Sequence, residues 1–150
     1  MLRATAVVRR SAAVAETVAD RMTLAYDERH RRRMAMTADG GLLFLLDLEN
    51  ATVLDDGDAV RLEDGRLIEV KAAPERLVEI RAESPLQLKR IIWHLGNRHV
   101  PAEIADEVVY IAEDHVLSEM VRGLGATATP VTRPFRPERG AYDDGHGHAH

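Results

Sequence analysis

Short apolar runs separated by glycine-containing turns dominate the first half of the chain. Within these runs apolar and polar residues alternate with a period of two, which is typical of half-buried strands. The predicted strands cover residues 5–8, 21–26, 33–37, 42–48, 58–62 and 66–71. Asp56-Gly57 and Asp64-Gly65 separate the last of them, and an Asp-Gly pair between such runs is typical of a hairpin. Residues 1–73 are therefore predicted to form an all-β domain, a small sandwich or barrel.

The pattern changes near Ala73-Pro74, where helical periodicity appears. After a predicted strand over residues 76–82, Ser84 and Pro85 are suited to the N-cap and first position of a helix. Gly96-Asn97 is predicted to end this helix, because both residue types tolerate left-handed backbone. The apolar side of the helix comprises Leu88, Ile91, Ile92 and Leu95.

A second helix and three more strands are predicted downstream. Strands over 101–105 and 108–112 flank Asp106-Glu107, Asp114 caps the helix, and Gly125 ends it. The apolar side of this helix comprises Val116, Leu117, Met120, Val121 and Leu124. A last strand covers residues 126–133.

The order strand, helix, strand, strand, helix, strand predicts a ferredoxin-like (βαββαβ) domain over residues 74–138, with two helices on one face of an antiparallel sheet. Residues 139–150 are rich in Gly, Asp and His and are predicted to form a flexible tail. The predicted fold class is therefore α+β.

Composition excludes several classes of function. The 150 residues contain no cysteine, which excludes disulfides, thiolate metal sites and thiol nucleophiles. With 20 basic and 25 acidic residues the net charge is −5, which disfavours general electrostatic binding to nucleic acid. No apolar run is long enough to cross a bilayer, and the N-terminus lacks the pattern of a signal peptide. We expect a cytoplasmic protein that binds neither nucleic acid nor membrane.

The last residues carry the clearest candidate metal ligands. His146, His148 and His150 alternate with small residues and follow two aspartates. Imidazole suits nickel, copper and zinc, and flexible spacers let several donors surround one ion. The alternative is a purification remnant or a solvated tail without a role.

Histidines within the predicted domains have structural alternatives. His94 and His99 are five residues apart, about 140° around a helix, so they do not share a face. His99 follows the helix end, where the turn presents it at the surface or the helix dipole stabilises it. His115, in the first turn of the second helix, is interpreted as a surface residue or a weaker ligand. His30 lies among four arginines in residues 28–33, a predicted hairpin tip or contact for an acidic partner.

Enzyme signatures are absent from the chain. The sequence contains no HExxH, no phosphate-binding glycine loop, no GxGxxG and no GxSxG. Ligands on a flexible tail suit capture and release of a metal better than fixed Lewis-acid catalysis. We predict that the protein is not an enzyme, with a zinc-dependent hydrolase as the remaining enzymatic alternative.

Three motifs in the second half resemble a known family. They are Gly96-Asn97-Arg98-His99 followed by Pro101, Asp114-His115-Val116-Leu117, and Gly123-Leu124-Gly125. In this order, and with the histidine-bearing end, they resemble the urease accessory protein E family of nickel metallochaperones. The resemblance covers residues 75–150 closely and the N-terminal part in general pattern.

The resemblance implies a peptide-binding-like domain over 1–73 and a metal-binding, dimerising domain over 74–138. It implies a homodimer with His99 at the interface as a nickel ligand, and further ligands from His146, His148 and His150. His115 ranks below these, because the residues before it lack the extra histidine of some members.

The implied function is to carry Ni(II) as cargo and to donate it during assembly of the urease metallocentre. The implied partners are the urease maturation GTPase and the urease apoprotein complex, and Zn(II) or Cu(II) competes for such ligands. The alternative function is a protein- or peptide-interaction adaptor whose β domain does the binding, with an incidental metal-binding tail.

Overall fold

The computed structural model describes residues 1–10 and 18–139, in two compact units built on Met1–Ala73 and Pro74–Glu138. The first unit contains β1 (Leu2–Val8), β2 (Val18–Leu24), β3 (His30–Thr37), β4 (Leu43–Val53), β5 (Ala59–Leu62) and β6 (Leu67–Ala72). The second contains β7 (Pro74–Arg81), α1 (Pro85–Asn97), β8 (Glu103–Ile104), β9 (Val109–Ala112), α2 (His115–Gly123) and β10 (Thr127–Pro134). Neither helix is long and apolar enough to cross a membrane within these residues.

The first unit is one six-stranded mixed sheet in the order β2-β6-β5-β1-β4-β3. The strands β1 and β4 are parallel, as are β2 and β6. The two edge strands meet through Asp39, whose N–H donates to the carbonyl of Arg21 (2.7 Å) and whose carboxylate accepts from the Thr23 hydroxyl (2.6 Å). The single sheet therefore curls around one core, unlike the two stacked sheets of a sandwich.

One of the two predicted Asp-Gly hairpins is wrong. Asp64-Gly65 joins the antiparallel neighbours β5 and β6, as predicted. Asp56-Gly57 joins β4 to β5, but β1 lies between these strands in the sheet, so this turn closes no hairpin. Gly57 still adopts a φ of 90°, which explains the glycine without any pairing of the flanking strands.

The arginine-rich run is not a hairpin tip. The Arg29 side chain is buried, 1% exposed, with its guanidinium 5.6 Å from the centre of the Tyr26 ring. The next residues, His30 to Arg33, belong to the edge strand β3. The predicted strand over residues 21–26 ends early, at Leu24, because a 3-10 turn at Tyr26–Glu28 follows it.

The second unit is a four-stranded antiparallel sheet in the order β10-β7-β9-β8. Its elements follow one another in the predicted order. Ser84 caps α1 by accepting the N–H of Gln87 (3.1 Å), as predicted. The core contains residues from both helices and from one face of the sheet: Val78, Ile80, Leu88, Ile91, Leu95, Val109, Ile111, Val121, Ala126 and Ala128.

The prediction of which α2 residues face the core is partly wrong. Val121 is fully buried, but Val116 is 74% exposed and Leu124, the C-cap residue, is also exposed. Val116 is five residues from Val121, about 140° around the helix, so it points away from the core. Ser118 takes the buried position instead.

Candidate metal centre

The C-terminal end of α1 carries His99 in a Schellman motif. The N–H of Val100 donates to the carbonyl of Leu95 (3.1 Å), and the N–H of His99 donates to that of Gly96 (3.0 Å). His99 has a φ of 57° and is the single non-glycine residue with positive φ among those the structure describes. The helix ends at Asn97, as predicted, but the left-handed residue is His99, because Gly96 and Asn97 are both helical.

Packing explains why the left-handed position falls on residue 99. Val100 packs against the core that contains Leu95, and such a contact is the usual companion of this motif. The contact fixes the register of the helix end, so the residue before Val100 must take the left-handed backbone. A spacing of five between apolar Leu95 and Val100 is the sequence signal that could have located this position.

The end of α2 shows the same motif with glycine in the equivalent place. The N–H of Ala126 donates to the carbonyl of Val121 (3.2 Å), and Gly125 has a φ of 91°. A side chain in this conformation costs roughly 1–2 kcal/mol relative to ordinary helical backbone. His99 therefore stands where the other helix of this unit uses glycine, and residues held in such conformations cluster at functional sites.

The surroundings of His99 suit a cation. The residue is exposed, and its imidazole has no hydrogen-bond partner within residues 1–10 and 18–139. It follows the last turn of α1, where the aligned peptide dipoles give the helix end a partial negative charge. A neutral imidazole nitrogen beside that charge is a suitable donor to a divalent metal.

No complete metal site exists in the described part of one chain. It contains no group of three or more His, Asp or Glu side chains arranged to hold a metal. His94 is half-buried, and its ring contacts Trp93 edge-on with the centroids 5.0 Å apart. His30 is exposed on β3, and the predicted ligands His146, His148 and His150 lie outside the described residues.

His115 is exposed at the start of α2, but its acidic neighbours are engaged elsewhere. Arg76 binds the Glu113 carboxylate (2.9 Å), and this hydrogen bond lowers the pKa of Glu113. Asp114 caps the helix by accepting the N–H of Leu117 (3.0 Å). Neither of these two neighbouring carboxylates is therefore free to complete a site with His115.

Comparison with known proteins covers both units. A family model described as the UreE urease accessory protein N-terminal domain matches residues 4–73, and one for the C-terminal domain matches residues 75–150. A urease accessory protein UreE of Azorhizobium caulinodans is 59% identical, over 100% of this chain and 74% of the relative.

Two further relatives carry the same name. The one from Rhodopseudomonas palustris (strain HaA2) is 57% identical over 90% of this chain, which spans only 63% of that relative. The one from Chelativorans sp. is 49% identical over 99% of this chain and 94% of the relative. These likenesses define the class as urease accessory proteins, which are not enzymes. The chain belongs to the UreE urease accessory protein family.

Proposed function

We propose that the protein is a cytoplasmic, homodimeric nickel metallochaperone that donates Ni(II) during assembly of the urease metallocentre. The observation that carries this proposal is His99, an exposed imidazole held in left-handed backbone at the negative end of a helix. Family membership supports a role in urease maturation. The proposed receivers of nickel are the urease maturation GTPase and the urease apoprotein complex.

A second copy supplies donors that the described part of one chain lacks. A twofold axis beside His99 brings two equivalent imidazoles together, so each chain needs to provide one. His146, His148 and His150 of either chain add further nitrogen donors, and His115 is a weaker peripheral ligand. Ligands of this kind hold an exchangeable cargo rather than a catalytic metal.

Nickel selectivity has to come from outside the donor set. Imidazole sites bind Cu(II) more tightly than Ni(II), and Zn(II) also competes for them. The protein therefore depends on nickel supply and on its partners to carry the right ion.

We assign the second unit to the ferredoxin-like class. Support comes from its strand order, β10-β7-β9-β8, and from the contact of both helices with one face of the sheet. We propose the domain limits 1–73, 74–138 and 139–150, and the predicted flexible tail, residues 140–150, lies outside the described residues.

Nickel titration by calorimetry tests the proposal. We compare the full chain, the His99→Ala variant, a chain ending at Gly140, and His30→Ala as a matched control with another exposed histidine. We expect His99→Ala to lose the tightest site, the shorter chain to bind fewer ions, and His30→Ala to match the full chain. Near-identical stoichiometry and affinity in all four proteins would contradict the proposal.

An interaction adaptor is the second candidate, and the edge strand β3 favours it. One side of its backbone has no strand partner among the described residues, and Arg32, Arg33 and Met34 are exposed. An extended peptide can add to such an edge. If this is the function, deleting residues 1–73 abolishes urease activation in cells, whereas deleting the tail or substituting His99 leaves activation unchanged.

A further inference from the structure

One exposed side of α1 combines apolar and cationic side chains. Leu86 and Trp93 are 55% and 63% exposed, and the exposed Lys89 and Arg90 lie between them. Relative to Leu86 these residues stand at i+3, i+4 and i+7, so all four lie along one side of the helix. We call these four residues the α1 stripe.

The two basic side chains of the α1 stripe lack the acidic partners that most other basic side chains of the second unit have. The side chains of Lys89 and Arg90 make no ion pair or hydrogen bond within the described ranges, and α1 contains no acidic residue. Of the other basic residues there, only Arg98, the C-cap of α1, is also without such a contact. Ion pairs join Arg76 to Glu113, Arg81 to Glu79, Arg122 to Glu119, and Arg133 to Glu103.

A groove beside the stripe mixes apolar and polar side chains. Leu86, Ile91 and the exposed Leu124 line it together with Arg90, His94 and the acidic Glu83. An exposed tryptophan, a neighbouring arginine and a recess are the features that concentrate binding energy in protein interfaces. Unpaired cations around an apolar centre complement a surface that is acidic at its rim.

We propose that the α1 stripe docks an acidic, apolar-centred surface of the protein that accepts the nickel. This inference deepens the proposed function and rests on it. The residue that ends the stripe, Trp93, is six positions before His99, about 9 Å along a helix. A protein docked on the stripe therefore reaches the end of α1 that carries the proposed metal ligand.

A second copy of this chain fits the stripe less well. A twofold contact through the stripe would bring Lys89 and Arg90 of one copy close to the same cations of the other. α1 itself contains no acidic residue, and Glu83, which lines the adjoining groove, is outnumbered by these cations. Charge therefore favours a different, acidic protein as the occupant.

The single tryptophan makes a direct test possible. Trp93 is the only tryptophan in the chain, so labelling the full-length protein with 5-fluorotryptophan gives one fluorine NMR signal from the stripe. The probe is the unlabelled, purified urease maturation GTPase, added to the nickel-loaded protein. We expect the signal to shift or broaden, and the complex to weaken as salt is raised.

Charge reversal supplies the matched comparison. The double variant Lys89→Glu with Arg90→Glu is expected to weaken binding about tenfold or more. Losing a close charge pair across an interface reduces the affinity by at least that factor. Arg32→Glu with Arg33→Glu makes the same change in net charge on β3 and is expected to leave affinity unchanged. Both double variants are expected to bind nickel like the parent.

Other outcomes would overturn the inference. A complex that forms without moving the Trp93 signal, or an equal loss in both double variants, excludes the stripe as the docking surface. A signal that depends on the protein's own concentration and ignores the GTPase assigns the stripe to a second copy. Absence of any complex overturns both this inference and nickel delivery to the GTPase, whereas absence of nickel binding by the parent protein overturns the carrier function separately.

Discussion

His99 combines a metal donor with an unfavourable backbone conformation, and substitution separates the two. We predict that His99→Gly raises the free energy of unfolding of the metal-free protein by about 1 kcal/mol, because glycine adopts positive φ without the penalty of a side chain. The same variant is expected to lose tight nickel binding. Urea unfolding in the presence of a chelator, followed by nickel titration, measures both effects.

The control for this prediction is His99→Ala. Alanine keeps the backbone penalty and removes the imidazole, so we expect nickel binding to fall with little gain in stability. If the glycine and alanine variants unfold at the same urea concentration, the left-handed backbone does not carry the predicted penalty.

At the level of single residues, the sequence located His99 past the helix end but not its conformation. Glycine and asparagine favour left-handed backbone, and that preference pointed to Gly96-Asn97. Packing of Val100 on the core outweighed the preference and moved the position to His99. The exposure of Trp93 was not predicted either, although the helical repeat places it about 200° around the axis from the buried Ile91.

At the level of elements, local periodicity predicted both helices and most strands, since cap residues and spacing are properties of neighbouring positions. Pairing between strands that are distant in the sequence could not be predicted from the properties of neighbouring positions. The parallel contact of β1 with β4 places a strand between β4 and β5, and no local pattern indicates that insertion. The buried Arg29 was missed because a run of arginines ordinarily indicates a solvated surface.

Ion pairing in the second unit gives a prediction for acidic pH. The hydrogen bond from Arg76 lowers the pKa of Glu113, so the carboxylate stabilises the fold above the ordinary glutamate pKa of about 4.3. That contribution is lost as pH falls through the lowered pKa of the folded state. We predict that Glu113→Gln is less stable than the parent at pH 7 and that the difference shrinks below about pH 4.

Thermal unfolding across a pH series measures this effect. Glu138→Gln removes a carboxylate that makes no ion pair within the described residues, and it serves as the control for net charge. A stability difference between Glu113→Gln and the parent that is constant from pH 7 to pH 3 would contradict the assignment of the ion pair.

At the level of the whole molecule, the proposed metal site requires association of two chains. Light scattering is expected to give a mass twice the 16.7 kDa of one chain. A monomer with and without nickel would remove the shared site, because the described part of one chain has no cluster of three ligands.

The position of bound nickel tests the central claim most directly. We would collect anomalous diffraction at the nickel absorption edge from crystals of the full chain grown with nickel. The strongest anomalous peak is predicted to lie on a twofold axis, within coordination distance of the imidazoles of His99 from two chains. A peak bound only by other residues, or His99 side chains remote from each other with no nickel between them, would contradict the claim.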